Sequence, residues 1–246
     1  MPDAGRRAVD PRNAPLSRGH VALSLGGRRV ELRLLRDRAH YDVLVQRVLA
    51  SARVSVWIAT ANVKELRVEA PVGSRARARG RYVSLLDVLR GLAQSGVELR
   101  LLHAGVPSRA FREELARHEE LFAGGLAMRR CPRVHLKMIA VDGAALYLGS
   151  ANLTGAGLGA KGEGRRNFEA GILTDDDVLL DEMQEAFDRI WSGRECKGCR
   201  VRDVCPAPLD GSGGFATPSA KAPAKKAAGK GRSRLPRGPR SSKGGA

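Results

Sequence analysis

One stretch of the chain combines a β-hairpin signal with polar residues at its open end. An apolar run over residues 134–141 carries His135 and Lys137 two positions apart, and Asp142-Gly143 follows it. Residues two apart on a strand share a face, so His135 and Lys137 are predicted to project together. Asp-Gly favours a type I′ turn, which returns the chain antiparallel and brings residues 149–152 beside His135. The alternate residues, predicted to face the core, are Val134, Leu136 and Met138.

The returning segment Gly149-Ser150-Ala151-Asn152 adds short hydrogen-bond donors to the same corner. A phosphoryl group placed there would meet the ammonium of Lys137, the amide of Asn152 and backbone N–H groups near Ser150. Asp142 is assigned a structural role, because the chemistry of the turn accounts for it. The grouping therefore predicts chemistry at a phosphodiester.

These residues resemble the motif of the phospholipase D superfamily, His-x-Lys-x4-Asp followed by Gly-Ser-x-Asn. The downstream Asn167-x-Glu169 also fits, and the resemblance spans roughly residues 35–195. Strands that alternate with helices along the chain favour an α/β domain. The resemblance refines that fold class to a phospholipase D-like layered mixed β-sheet flanked by helices. Relatives with a single motif include small bacterial endonucleases and Zucchini-type phosphodiesterases.

What the resemblance implies is a covalent mechanism that needs no divalent metal. His135 would attack phosphorus and form a phosphohistidine, while Glu169 accepts the other ring N–H of His135. A second histidine would protonate the leaving oxygen and then activate water. Because the chain carries one motif, that histidine would come from a second subunit, which implies a homodimer. The predicted catalytic set is His135, Lys137, Ser150, Asn152 and Glu169.

The composition divides the chain into four segments. Residues 1–20 are predicted to be a disordered N-terminus, residues 21–195 the phosphodiesterase domain, residues 196–206 a cysteine segment and residues 207–246 a disordered basic tail. Within the domain, the pattern predicts a hairpin from residues 21–25 and 30–35, an arginine-rich loop over 73–81, one helix over about 110–122, and a helix capped by the aspartates at 175–177.

The four cysteines form a candidate structural metal site. Cys196, Cys199 and Cys205 have C-x2-C-x5-C spacing, and Cys131, four residues before His135, offers a fourth ligand. Four thiolates suit zinc or an iron–sulfur cluster, and the sequence does not choose between them. A third alternative is that the three clustered cysteines are reduced thiols that bind no metal. The spacing resembles the iron–sulfur staple of certain DNA-processing exonucleases. Clustered cysteines also favour a reducing cytoplasm over a disulfide scaffold.

The charge predicts a polyanionic partner. The net charge is +17, and residues 211–246 contain nine basic residues and no acidic one. The first 210 residues hold 34 basic and 26 acidic residues, a net charge of +8, so they are basic on their own. Nucleic acid is the favoured partner, with an anionic membrane surface as the alternative. Aromatic residues make up only 4% of the chain, which favours contacts with a duplex backbone over base stacking.

Three functions remain open at this point. The leading one is a metal-independent phosphodiesterase that hydrolyses nucleic acid and is active as a dimer. The second is a phospholipase D that acts on phospholipid or cardiolipin, and the third is a non-catalytic DNA-binding protein. No apolar run reaches the roughly 18 residues of a membrane span, and no signal peptide is predicted.

Overall fold

The computed structural model describes residues 29–70 and 73–210. Its nine strands are β1 (Leu32–Arg36), β2 (Ser55–Thr60), β3 (Arg67–Glu69), β4 (Tyr82–Ser84), β5 (Glu98–His103), β6 (Ala127–Arg130), β7 (Met138–Val141), β8 (Ala145–Gly149) and β9 (Ala170–Thr174). Its α-helices are α1 (Arg75–Ala78), α2 (Leu85–Gln94), α3 (Arg109–Leu115) and α4 (Asp177–Trp191). Two further helical segments, His40–Val48 and Leu121–Gly125, are of the wider π type.

Seven strands form one mixed sheet in the order β1-β9-β8-β7-β2-β5-β6, and β3 pairs with β4 in a separate hairpin. Strands β2, β5 and β6 run parallel, whereas β7, β8, β9 and β1 each run antiparallel to their neighbours. The predicted α/β fold, with a mixed sheet flanked by helices, is confirmed.

The central strands are buried on both faces, which explains their continuous apolar sequences. On β7, Ile139 and Val141 join a first hydrophobic cluster that includes helix α2 and the His40–Val48 helix. Met138 and Ala140 point the other way, into a second cluster with Leu180 and Phe187 of α4. Val134 and Leu136 also belong to the second cluster, so the predicted alternation before the turn is confirmed.

Several boundaries differ from those predicted. The helix expected over 110–122 is interrupted, because α3 ends at Leu115 and a separate π turn begins at Leu121. Gly124 in that turn has φ +128°, a conformation that no regular helix allows. The arginine-rich segment, predicted as a loop, contains the short helix α1 because the Ser74 hydroxyl accepts a hydrogen bond from the Arg77 N–H and caps it. Helix α4 is capped by Asp176, within the predicted aspartate run.

The predictions for the chain ends fall largely outside the described residues. The N-terminus predicted to be disordered, the predicted first hairpin strand at 21–25 and residues 211–246 all lie there. The tail was expected to begin at 207, but Leu209 packs against the second cluster and donates its N–H to Cys196 Sγ at 3.4 Å. In residues 29–70 and 73–210, every helix is too short or too polar to cross a lipid bilayer.

Candidate active site

Polar residues that flank the ends of three neighbouring strands, β7, β8 and β9, meet at one edge of the main sheet. Strand β7 begins at Met138, which is paired with Ala59 just before β2 ends. Strand β8 ends at Gly149, which is paired with Gly171 just after β9 begins. The residues immediately beyond these ends are His135 to Lys137, Ser150 to Asn152, and Asn167 to Glu169. The sheet therefore brings all five predicted catalytic residues to the same edge.

His135 and Lys137 contact each other directly. The Lys137 Nζ lies 3.0 Å from Nδ1 and 3.2 Å from Nε2 of the His135 ring, and it donates to the His135 carbonyl at 2.9 Å. His135 is exposed and Lys137 is half-buried. Burial lowers the pKa of Lys137, although the carboxylate of Glu169 acts in the opposite direction. Both residues precede β7, so this strand begins at Met138, after the two residues that were predicted to lie on it.

Glu169 is held in a short hydrogen-bonded group. Its Oε2 accepts a hydrogen bond from the Ser150 hydroxyl, and its Oε1 accepts one from the Asn167 amide at 3.0 Å. The predicted hydrogen bond from the His135 ring to Glu169 is not formed in the described chain, because Lys137 occupies the ring and Ser150 the carboxylate. Glu169 nevertheless contributes to the electrostatics of the site through Lys137.

The backbone donors predicted for a phosphoryl group are already in use. Ser150 N–H donates to the Ala170 carbonyl at 3.0 Å, and Gly149 N–H donates to the Lys137 carbonyl at 3.1 Å. These bonds continue the sheet past the end of β8. These two N–H groups are therefore not available to a phosphate, and among the side chains at this edge Lys137 supplies the positive charge.

Asn152 is fixed by its side-chain oxygen. Its Oδ1 accepts hydrogen bonds from the Thr60 hydroxyl at 3.2 Å and from the backbone N–H groups of Ala61 and Asn62 at 3.2 and 3.1 Å. Two of these partners are backbone donors, which settles the orientation of the amide. The amide nitrogen is consequently the group that Asn152 can offer to a ligand.

Asp142 anchors the turn, in keeping with its predicted structural role. Asp142 and Gly143 have φ values of +57° and +62°, as a type I′ turn requires. The carboxylate accepts backbone hydrogen bonds from Arg53, Val54 and Ser55 at 2.7–3.1 Å. Burial alone would raise the pKa of Asp142, but these N–H groups outweigh it and the pKa lies below its ordinary value.

The other histidines that the structure describes are buried. His40 is 0% exposed and its Nδ1 lies 3.0 Å from the Asp37 carbonyl. His103 is 5% exposed, its Nδ1 lies 2.8 Å from the Gly105 carbonyl, and burial lowers its pKa. His118 is 9% exposed, and its Nε2 lies 3.7 Å from the Asp87 carboxylate of α2 and 3.8 Å from that of Glu114 in α3. Within residues 29–70 and 73–210, His135 is thus the one exposed imidazole.

The sequence analysis did not identify two residues, Asp37 and Tyr147, that contact the backbone around the site. Asp37 has φ +47°, accepts the Glu169 N–H at 3.1 Å and donates its own N–H to the Glu169 carbonyl at 3.0 Å. Tyr147 lies against Gly149 and Gly171, and burial raises the pKa of Tyr147 to about 12. No spacing pattern marks Asp37, because it reaches Glu169 across 132 residues of sequence.

All four cysteines line one cavity of about 360 Å³ between the start of the His135 segment and the chain after α4. Cys131 follows β6, and its N–H donates to the His103 carbonyl at 2.9 Å. Burial raises the pKa of the Cys131 thiol, whereas hydrogen bonds from the Val201 backbone and the Arg133 side chain lower the pKa of the Cys199 thiol. The predicted convergence of Cys131 with the distant cluster is therefore present in the fold.

A second group with metal-ligand chemistry lies away from the sheet edge. The side chains of Asp87, Glu114 and His118 approach within 4.8 Å of one another. Asp87 already accepts the Ser84 N–H in the cap of α2, and Glu114 pairs with Arg117 at 2.7 Å. Local roles thus account for both carboxylates.

A family model described as the PLD-like domain of cardiolipin synthase matches residues 45–191. The chain belongs to this phospholipase D-like family. The matched segment contains the whole hairpin, Asp142 and the five predicted catalytic residues. Family membership supports phosphodiesterase activity of the phospholipase D type.

Solved structures similar to this phospholipase D-like chain include two bacterial proteins. A phospholipase D family member, Nuc from Salmonella typhimurium, is 17% identical, covers 66% of this chain and 95% of its own, and has a TM-score of 0.47. NucT from Helicobacter pylori is 16% identical, with coverage of 65% and 95% and a TM-score of 0.45. A comparison with curated proteins gave no significant match.

Proposed function

We propose that this phospholipase D-like protein hydrolyses phosphodiester bonds of nucleic acids, with His135 as nucleophile. The observation that carries the proposal is the exposed His135 ring in contact with the Lys137 ammonium, beside the Ser150–Glu169 pair. A nucleophile must be reachable by its substrate, and a cation at its side offsets the charge that accumulates on the phosphoryl oxygens.

The reaction has two steps. A nitrogen of His135 attacks phosphorus, a P–N bond forms, and the P–O bond to the leaving strand breaks as a second acid protonates that oxygen. Water then attacks the phosphohistidine as the second group, now deprotonated, accepts a proton from it; the P–N bond breaks and His135 is released. Lys137 and the amide nitrogen of Asn152 bind the phosphoryl oxygens in both steps. Because the Lys137 ammonium supplies the positive charge, these steps are proposed to proceed without a metal ion.

The second acid is proposed to be the His135 of another copy of the chain. His40 and His103 are buried, and the Nδ1 of each ring lies against a backbone carbonyl, so neither suits proton transfer to a substrate at the sheet edge. A two-fold dimer places two exposed imidazoles opposite each other across its axis. Each would serve as nucleophile or acid toward the same phosphodiester.

Charge and an exposed ring support nucleic acid as the substrate. The segment that leads into Glu169 carries exposed Lys161 and Arg165, which can neutralise phosphates that flank the scissile bond. Phe168, directly before Glu169, is 97% exposed. An aromatic ring in this position can stack on a base next to the cleaved bond, a contact that the low aromatic content of the chain gave no reason to expect.

A phospholipid phosphodiesterase is the second candidate, because the matched family model is described by a lipid enzyme. The same basic residues would then bind an anionic bilayer, and Phe168 would insert among lipid head groups. The chemistry at His135 would be unchanged.

The test incubates the purified full chain, in EDTA, with plasmid DNA, single-stranded RNA and cardiolipin vesicles, beside His135→Ala. The proposal expects cleavage of at least one nucleic acid, lost in the variant. Turnover of cardiolipin alone would reject nucleic acid as the substrate and support the phospholipid phosphodiesterase. Inactivity on all three substrates, with DNA binding retained, would favour a non-catalytic DNA-binding protein.

A further inference from the structure

The cavity that holds the four cysteines joins two distant parts of the chain. Cys131 lies just after β6 and four residues before His135. Two short turns follow α4, at Arg194–Cys196 and Arg202–Val204; Cys196 ends the first, Cys199 lies between them and Cys205 directly follows the second. These are all the cysteines of the chain, and every one lines the same cavity. The four cysteines come from separate parts of the chain, and all four thiols are free rather than joined in disulfides.

No three of the cysteine sulfurs lie as close together as the ligands of a single metal ion do. Four thiolates around one zinc ion at its usual Zn–S distance are about 3.8 Å apart. In the part of the chain that the structure describes, Asp87, Glu114 and His118 are the only three ligand side chains whose atoms all lie within 4.8 Å of one another. No three of the cysteine sulfurs therefore meet that limit. A cubane cluster bonds one thiolate at each of its four corners, so it holds the sulfurs farther apart than a single ion does.

The volume agrees with the spacing. The cavity measures about 360 Å³, far more than a single ion fills, and apolar side chains such as Val134, Ile190 and Leu209 form much of its wall. An apolar wall limits the contact of a bound cluster with water.

Hydrogen-bond donors and positive charge already surround the sulfurs. Leu209 N–H donates to Cys196 Sγ at 3.4 Å, and Arg133 Nη1 donates to Cys199 Sγ at 3.5 Å. Arg133 and Val201 also direct backbone N–H groups at Cys131 and Cys199. Four thiolates leave a bound cluster negatively charged, and N–H···S bonds with a nearby guanidinium stabilise that charge.

From the cavity, the sulfur spacing and these donors, we infer that Cys131, Cys196, Cys199 and Cys205 hold a [4Fe–4S] cluster. A donor protein supplies the cluster already assembled. Each of the four cysteines loses its proton to solvent and forms one S–Fe bond, which replaces the bond from that iron to a thiolate of the donor. No oxidation state changes. The cluster fastens residues 194–210 to the segment that begins the active-site hairpin. Its role is structural, and the inference stands whether the substrate is nucleic acid or lipid.

The test is the metal and sulfide content of the full chain purified without oxygen. The inference expects about four iron and four acid-labile sulfide per chain, with the broad visible absorption of thiolate-bound iron. Cys199→Ala should lose most of both, whereas Lys197→Ala, which changes an exposed residue in the same turn, should keep them.

Two results would overturn the inference, and both are read on the unmodified chain even if the cysteine variant does not fold. One is stoichiometric zinc without sulfide, which would mean that the cysteines rearrange around a single ion. The other is metal-free protein in which all four thiols react with a thiol reagent. Neither depends on nuclease activity, so failure here is distinguishable from failure of the proposed function.

Discussion

Gly149 of β8 and Gly171 of β9 are paired across the sheet, and the ring of Tyr147 lies over both. A methyl group at Gly149 would lie 2.7 Å from the Ala170 carbonyl oxygen, and one at Gly171 would lie 2.8 Å from the Leu148 carbonyl oxygen. The glycine before Ser150 is thus required by packing. It allows the close strand contact that positions Ser150 against Glu169.

Gly149→Ala should lower the free energy of unfolding by about 1–3 kcal/mol, because the added methyl overpacks a buried contact. It should also displace Ser150 and reduce turnover. The matched control is Gly91→Ala, since a methyl at that helical position meets nothing within 4 Å. That control should stabilise the fold by about 0.4–1 kcal/mol. Denaturant unfolding with activity assays checks both, and equal effects of the two variants would refute the packing argument.

The pH dependence of activity should reflect Lys137. Burial lowers its pKa, so the ammonium loses its proton at a lower pH than an ordinary lysine, and phosphoryl binding weakens as the pH rises through that value. Turnover should therefore decline on the alkaline side before the usual lysine range. Lys137→Arg retains a cation over the whole range and should move the decline upward, at a reduced rate. An unchanged alkaline limb would mean that another group titrates.

Asp142→Asn should destabilise the fold by about 1.5–3 kcal/mol, because a charged acceptor of three backbone N–H groups is replaced by a neutral one. Asparagine tolerates the positive φ of this turn, so the backbone conformation is retained. The folded-state pKa of Asp142 lies below its ordinary value, so its stabilisation is present above the ordinary carboxyl range and is lost as the pH falls through the lowered pKa. Unfolding from pH 7 to pH 3 should show a smaller loss in the variant than in the parent chain.

The sequence predicted the elements that depend on local chemistry. The Asp142-Gly143 turn, the buried alternation of Val134, Leu136 and Met138, and the cap of α4 all follow from short-range patterns. The proximity of residues 149–152 to His135 could be predicted, because the turn of an antiparallel hairpin determines which residues lie side by side at its open end.

What the sequence did not reveal depends on contacts between distant residues. Asp37 reaches Glu169, and Asn152 reaches the end of β2, through hydrogen bonds that leave no pattern in the sequence. Among the backbone N–H groups near Ser150 that were predicted to bind phosphate, those of Gly149 and Ser150 form hydrogen bonds that continue the sheet. Which N–H groups form sheet hydrogen bonds depends on the register of the strands, and the sequence did not predict that register.

Deleting residues 211–246 should weaken binding to DNA and flatten its salt dependence, since nine basic residues are removed. Each phosphate contact that is lost lowers the slope of log K against log salt by about 0.9. The measurement is a titration of labelled duplex at several salt concentrations. An unchanged slope would show that these residues do not contact phosphates.

Phe168→Ala should raise the KM for nucleic acid and leave kcat nearly unchanged, because the ring is proposed to stack on a base rather than to act on the phosphate. The loss of one stacking contact corresponds to about 1–3 kcal/mol of binding free energy. Phe168→Tyr keeps an aromatic face and should restore binding. A fall in kcat alone would indicate that Phe168 instead positions Glu169.

The most direct test of the account is to search for the covalent intermediate on His135. The chain is mixed with a short oligonucleotide in EDTA, quenched at alkaline pH, where a phosphoramidate survives, and digested for mass spectrometry. The account predicts a peptide that contains His135 with a nucleotide attached through a P–N bond, absent from His135→Ala. Turnover in which no adduct forms at any quench time, or in which His135→Ala remains active, would contradict the assignment of His135 as nucleophile.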